Sequence, residues 1–383
     1  MRVSDAKIIV IGGDHHNMLG VVRSLGMRGC NNITAIITND KTYSFVSKSR
    51  YIKNSYTVKE EEGIILDLLK KNGDNDGGKK AIIIPTSDFA ACLIDKHLNE
   101  LSDDYIIPSI NGRQGEVVKY MDKYNQFLLA KEYGVKMAEC NIINLNEAFP
   151  NPSFSKCIVK PLVSANGNKI DITICDNADD YFKALEVFRN KQYDKVLVQE
   201  YVDFDRECGL IGCSGNGLMV LPGIIKKNRI YPISRGSNSY SNIEKVPRSH
   251  EIIKILKMLK ELGYSGLFDI EIFVKGDEVY LNEINFRNSG NAFAYCYDDI
   301  YLAYIWIAIA LGENIEGEKL KISAPFSFVD ERLEMKQLLD KNISFKEYIK
   351  TKRGAKAKLL HFKKDIKPSI YKYLYIVKRR VIR

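Results

Sequence analysis

Apolar positions along this chain follow two periods, and the changes of period mark the predicted elements. Residues 7–13, KIIVIGG, form a β-branched run ending in Gly-Gly, the pattern of a buried parallel strand entering a turn. Met18 to Leu25 has helical spacing, NITAIIT (32–38) reads as a second strand, and EEGIILDLLKK reads as a helix. AIIIPTSD (81–88) is a further strand that ends in Pro-Thr-Ser-Asp. Strands alternating with helices predict a parallel α/β sheet over about the first 110 residues. Ligands of such sheets gather at the carboxyl ends of strands, where GGDHH and PTSDF both fall.

The pattern then changes. Glu116 to Gly134 has helical spacing throughout and stops at a Gly suited to a helix end. CIVKPLVSANGNKIDITIC (157–175) reads as strand, loop, strand, and Asn177 to Arg189 as a helix with Tyr181, Leu185 and Phe188 on one face. KVLVQEYVDFDRE (195–207) reads as a strand running into an acidic segment, and residues 218–233 as a broken strand pair. RGSNSYSNIE (235–244) is rich in Ser, Asn and Gly and predicts a mobile loop. Residues 250–266 predict an amphipathic helix with a Gly stop, and 266–290 a hairpin. No internal repeat is present in the sequence.

Composition narrows the class. With 383 residues, 45% of them hydrophobic, the chain is expected to be soluble and multidomain. The N-terminal apolar run is too short for a signal segment, and Tyr295 to Leu311 carries Asp298 and Asp299 and falls short of a membrane span. Eight scattered cysteines, with no C-x-x-C, suit reduced thiols in a cytoplasmic protein. The net charge of +9 is uneven: residues 351–383 hold twelve Lys/Arg against one Asp, or +11, leaving −2 for the rest. A near-neutral body does not support a nucleic-acid partner. The tail, with aromatics among its basic residues, reads either as a solvated helix packed on the body or as a peripheral foot on the anionic inner face of a membrane.

The chemistry concentrates in the last hairpin. Glu283, Asn285 and Arg287 lie two apart on one strand and share a face, as do Asp269 and Glu271 on the preceding strand. A two-residue turn at Gly276-Asp277 would set Glu283 opposite Ile270 and separate the two acidic sets. A three-residue loop, or a bulge of equal effect, would bring them together, and that is the expectation. Two carboxylates and an amide oxygen side by side suit Mg²⁺, which takes its remaining ligands from water and nucleotide phosphate. Arg287 could then pair with a phosphoryl or carboxylate group. The same spacing also suits a solvated polar face with Arg287 bridging the carboxylates. The turn GGDHHNMLG lacks G-x-G-x-x-G, so a dehydrogenase is disfavoured, and His15 and His16 read either as ligand contacts or as solvated loop residues.

The order of these elements, over about residues 5–315, resembles the ATP-grasp superfamily and within it carboxylate–amine ligases similar to D-aspartate ligase. The resemblance implies an α/β fold: a Rossmann-like preceding domain (1–115), a two-lobed ATP-grasp α+β domain (116–320) and a C-terminal extension with the basic tail (321–383). It implies a nucleotide-contacting Lys123 in DKYNQFLLAKEYGV, and a phosphate-reaching Lys160 in IVKP. SANGNK (164–169), with Ser164 and Gly167, falls where the phosphate-covering loop belongs; it has one Gly where many relatives have more. VQEYV (198–202) matches the adenine hinge, giving Gln199, Glu200 and Val202, and Glu207 matches the ribose-binding acid. FDIEIF and LNEINFR match the metal hairpin, giving Asp269, Glu283 and Asn285 as ligands, with Glu271 an extra acid and N-F-R in place of the usual N-P-R. Arg287 corresponds to the arginine that steadies phosphate or acyl phosphate. A further basic residue is expected near the transferred phosphate, and Lys226, Lys227, Arg229 and Arg235 compete for the role; Arg235 is preferred, with Lys226 beside it.

The implied activity is an ATP-dependent ligase that activates a small-molecule carboxylate as an acyl phosphate for attack by an amine, with ATP and Mg²⁺ (Mn²⁺ as a substitute) as cofactors. His15, His16, Ser87 and Asp88 would line the acceptor site, and loops 164–169 and 235–244 would exclude water. The alternatives are an ATP-grasp kinase acting on a small molecule and a non-catalytic nucleotide-binding regulator.

Overall fold

The computed structural model describes residues 2–40, 43–73, 79–162, 172–233 and 236–381, the last seven of these by backbone alone. The N-terminal region runs β1 (Ile8–Gly13), α1 (His16–Met27), β2 (Ile33–Thr38), β3 (Asn54–Val58), α2 (Glu62–Gly73), β4 (Ala81–Pro85), α3 (Asp88–Lys96), α4 (Leu98–Leu101) and β5 (Tyr105–Ile106). Its five strands are all parallel, in the order β3-β2-β1-β4-β5. The continuous apolar runs follow from burial on both faces. Ile8, Val10 and Ile82 pack into one core with α1, while Ile9, Ile11 and Ile83 pack into another under α2 and α3. The strand order reverses between β1 and β4, so their carboxyl ends flank the crevice where such sheets bind ligands. The two ends lie close: Gly12 has φ +153°, and a Cβ there would stand 2.2 Å from Thr86 Oγ1, so only glycine fits.

The chain continues through β6 (Ser109–Ile110), α5 (Glu116–Met121), α6 (Lys123–Glu132), β7 (Cys140–Asn144), β8 (Cys157–Pro161), β9 (Thr173–Cys175), α7 (Ala178–Asn190) and β10 (Lys195–Glu200). Strands β7-β10-β8-β9 make a small antiparallel sheet covered on one side by α7. The expected single helix over 116–134 is two. Asp122 leaves the helical region at ψ 126° and its carboxylate accepts from the Tyr124 and Asn125 amides, so it caps a new helix that begins at Lys123.

Then come β11 (Arg206–Gly215), β12 (Leu218–Val220), β13 (Ile224–Tyr231), β14 (Ser237–Glu244), α8 (His250–Glu261), β15 (Tyr264–Lys275), β16 (Glu278–Asn285) and α9 (Leu302–Ala310). The chain ends with β17 (Phe326–Val329), α10 (Glu331–Leu339), α11 (Phe345–Gly354), β18 (Ala357–Lys358) and α12 (Lys367–Val381). The large sheet runs β16-β15-β11-β13-β14-β17-β18. Residues 237–244 therefore form an inner strand, not the predicted loop. Ser239, Ser241 and Ile243 are fully buried there, and pairing with β13 and β17 satisfies a polar backbone that composition alone assigns to a turn. The C-terminal segment is built into the molecule. β17 and β18 extend the sheet, and the buried Arg23 guanidinium donates to Asp365 Oδ2 at 3.0 Å and to the Leu360 and Asp365 carbonyls.

Candidate active site

The hairpin β15–β16 turns at two residues, Gly276-Asp277, since Lys275 pairs with Glu278. A bulge then inserts Asn282, and beyond it Glu271 lies opposite Glu283 and Asp269 opposite Asn285. The bulge thus does what a three-residue loop would have done: it brings the two acidic sets to one face. Gly209 of β11 lies opposite Glu271 and leaves open the space in front of Asp269, whose Oδ1 is 3.8 Å from where a Cβ would stand. Among the described residues no three carboxylate, imidazole or thiolate groups form a ready-made metal cage. The donors are carboxylates and one amide.

Other elements bring cations to this face. Lys123, the first residue of α6, points its Nζ to within 3.6 Å of Glu283 Oε1. Gln126, one turn on, fixes α6 to β16: it donates to the Ile284 carbonyl and accepts from the Ile284 amide, both at 2.8 Å. Lys160 of β8 is buried and donates to Gln199 Oε1 at 2.7 Å. Burial, and then the charge of Lys123, lowers its pKa to about 8 against the pull of Glu283 and Glu271. From β13, Lys227 pairs with Glu207 and lies 3.5 Å from Glu271.

Asp269 shows the opposite stress. Burial and the adjacent Glu271 raise its pKa, although Arg287 and Ser289 work the other way. Arg287 spans the hairpin and the N-terminal sheet. It donates from Nε to Asp88 Oδ1 at 2.7 Å and from Nη2 to Asn285 Oδ1 at 3.1 Å, and its Nη1 lies 3.8 Å from Asp269 Oδ2. Burial opposes the charge on Arg287, yet Asp88 and Asp269 hold its pKa above the ordinary arginine value.

Several expectations change. Lys226 and Lys227 are consecutive on a strand and so face opposite ways. Lys226 pairs with Glu244 at 2.6 Å on the sheet face away from the carboxylates, so its expected place beside the phosphate does not hold, and Lys227 takes the carboxylate side. Arg229 is held by buried Glu334 and by Thr351. Arg235, Ser164 and Gly167 lie outside the described residues. Of the hinge residues, Gln199 turns its side chain to Lys160 and the Ala138 carbonyl, Glu200 is exposed and Val202 half-buried.

At the carboxyl ends of β1 and β4, Ser87 caps α3 and His15 caps α1, accepting from the Asn17 amide. His16 is buried against Asp330, 3.7 Å away, and Arg332, both at the start of α10, and burial followed by Arg332 lowers its pKa. Gly290 closes over this imidazole; a Cβ there would stand 2.7 Å from His16 Nε2. Asn17 donates to the Thr86 and Asn288 carbonyls at 2.9 and 2.8 Å, tying the crevice to the end of the hairpin. Asp330 and Arg332 carry no motif, and Gln126 lies close to Lys123 in DKYNQFLLAKEYGV without any signal of its role.

Residues 128–294 match the family model of the ATP-grasp domain. Over that segment the chain is similar to ATP-grasp domains. It is 30% identical over 212 residues to the formate-dependent phosphoribosylglycinamide formyltransferase of a Nitratiruptor species, covering 48% of this chain and 53% of that protein. It is 29% identical over 246 residues to the D-alanine–D-alanine ligase of Campylobacter lari, covering 61% of this chain and 68% of the relative. The chain thus spans about half the length of the first of these relatives and two thirds of the second. The fold matches the crystal structure of carboxyaminoimidazole ribonucleotide synthase from Aspergillus clavatus complexed with ATP, at TM-score 0.64, 14% identity and 86% and 82% coverage of the two chains. The ATP-grasp match begins midway along helix α6, after Lys123, and spans the strand of Lys160 and the whole hairpin.

Proposed function

We propose that this protein is an ATP-grasp ligase that uses ATP to activate a small-molecule carboxylate as an acyl phosphate, which an amine then attacks. The observation that carries the reading is the register of β15–β16, which gathers Asp269, Glu271, Glu283 and Asn285 opposite Lys123 and Lys160. Lys123 and Lys160 would hold phosphate oxygens, Gln199, Glu200 and Val202 the adenine, and Glu207 the ribose. Ser164 and Gly167 would complete the phosphate contacts, and Arg235 stays a candidate for the transferred phosphate alongside Lys227. Asp269, Glu283 and Asn285 would hold Mg²⁺. The fit is chemical: hard oxygen donors, with one carboxylate whose charge burial and Glu271 disfavour until a cation arrives. When bound, the ion would neutralise phosphate charge; Mn²⁺ has the same donor preference.

The remaining steps belong to the chain's own residues. Little covalent chemistry is asked of them, so positioning and charge neutralisation supply the rate. Arg287, steered by Asp88 and Asn285, would meet the transferred phosphoryl or acyl phosphate group, and the crevice of Ser87, Asp88, His15 and His16 would admit the second substrate from the N-terminal sheet. The acyl phosphate hydrolyses readily, so water must be kept out while the amine approaches. Mg²⁺-dependent ADP release with a panel of carboxylates, run with hydroxylamine, tests this. One carboxylate should yield a hydroxamate in the native protein and none in Glu283→Ala. ADP without hydroxamate would point instead to a kinase, and ATP binding without turnover on any member to a regulator.

We also propose that the protein works in the cytoplasm, with the tail touching an anionic membrane surface. The support is the +11 charge of residues 351–383 and the exposed Ile370, Tyr371 and Leu374 at the start of α12. Among the described residues no helix is long and apolar enough to cross a membrane. Because Asp365 anchors the segment to Arg23, the truncation to test ends the chain at Tyr375 and leaves that lock intact. Salt-sensitive binding to anionic vesicles should fall in the truncated chain; equal binding by both chains would end the idea.

A further inference from the structure

Cys157 opens β8 and Cys175 closes β9, and the antiparallel register sets them directly opposite each other. Facing residues of such a pair lie about 4.5–5.5 Å apart between Cα atoms, within the range of about 4.4–6.8 Å that a disulfide spans. The two thiols are buried with Val159, Tyr181 and Leu185. Whichever thiol of the pair ionises supplies the nucleophile, and the other lies opposite it in the register. β9 is three residues long and is the edge of its sheet, so it opens at lower cost than the inner strands. All eight cysteines are free, and the six others do not enter this pair.

We propose that Cys157 and Cys175 form a redox modification site, an intrachain cross-strand disulfide closed by a peroxide and reopened by a dithiol. In the forward direction one thiolate of the pair attacks one peroxide oxygen, the O–O bond breaks and hydroxide leaves as water after taking a proton. The resulting sulfenic acid is attacked by the other thiol; the S–S bond forms, the S–O bond breaks and a second water leaves. Two thiols lose two electrons and one peroxide is reduced to two waters. A dithiol reverses the bridge by exchange and is itself oxidised. The bridge joins the strand that carries Lys160, three residues on from Cys157, to the edge of the sheet. Its formation requires nothing of the ligase reading.

The test treats the reduced full-length chain with hydrogen peroxide, then denatures it and titrates thiols. The expected count falls from eight to six, with a mass loss of two hydrogens and a linked peptide pair containing residues 157 and 175, all reversed by dithiothreitol. Cys157→Ser and Cys175→Ser should each yield no linked pair; Cys157→Ala and Cys175→Val serve if a buried hydroxyl disturbs folding, with the melting transition as the check. Eight titratable thiols after treatment, a gain of oxygen without a bridge, or a bridge mapped to other cysteines would each overturn the proposal.

Discussion

The small sheet and the large sheet that face each other across the candidate site are stressed in opposite ways. On the small sheet, Lys160 is buried, its hydrogen bond to Gln199 ends on a neutral amide, and its pKa is lowered to about 8. On the large sheet, Asp269 is buried beside Glu271 and its carboxylate is harder to ionise than usual. One wall disfavours its own positive charge, the other its negative charge. A third buried site shows charge that is resolved: Arg23 and Asp365 are sealed from solvent, and the guanidinium also reaches two backbone carbonyls. Two walls of opposite stress that face each other suit a ligand that supplies both missing charges. A polyphosphate answers the first wall and a divalent cation the second.

The largest effect should come from deleting either wall. Lys160→Met and Glu283→Ala should each lower Mg²⁺-dependent ADP release by about a hundredfold to a thousandfold, the scale of losing one group that meets transition-state charge. Lys226→Met, on the far face of the same sheet as Glu283, should stay within about threefold of the native rate, since Lys226 is engaged with Glu244. Steady-state rates with folded variants check this, and a Lys226 variant as impaired as Lys160→Met would show that the carboxylate face has been misassigned.

Stability sharpens the contrast. Arg23→Ala leaves Asp365 buried without its partner and should destabilise the fold by about 3–5 kcal/mol. Lys160→Met removes a charge that the fold disfavours and should leave stability equal or raised by about 1 kcal/mol, because Met fills a similar volume. Denaturant midpoints of the two variants decide between them. A Lys160 variant that falls as far as Arg23→Ala would mean that Lys160 is a structural group.

Which parts of this were legible in the sequence follows from the range of the signal. Period-2 spacing places Asp269 with Glu271 and Glu283 with Asn285, because a strand alternates whatever it pairs with. The apolar runs of β1 and β4 announce a parallel sheet for the same local reason. Register is not local: the meeting of the two acidic sets depended on one inserted residue, Asn282, in a hairpin whose turn alone would have separated them. The choice between Lys226 and Lys227 turned on the same quantity. Residues 237–244 escape a sequence reading because Ser and Asn favour loops until neighbouring strands pair with them. Nothing near His16 in the sequence points to Asp330 or Arg332, more than three hundred residues away.

The smallest effect is a fraction of a proton, and it probes the small-sheet wall directly. With its pKa near 8, Lys160 is about half charged at pH 8 in the free protein. Phosphate oxygens favour the charged form, so nucleotide binding should raise that pKa and draw in about half a proton at pH 8, and almost none at pH 6.5, where the lysine is already charged. Folding obeys the same linkage. The unfolded lysine keeps its proton up to about pH 10.4, so between pH 8 and that value the unfolded chain binds more protons and this residue's contribution to stability rises with pH. Titration calorimetry of ATP in buffers of different ionisation enthalpy reads the uptake. Uptake that peaks above pH 8 and vanishes in Lys160→Met would tie the stressed lysine to the nucleotide. Binding with no proton uptake at pH 8 would mean that the phosphates lie elsewhere and that Lys160 answers to Gln199 alone.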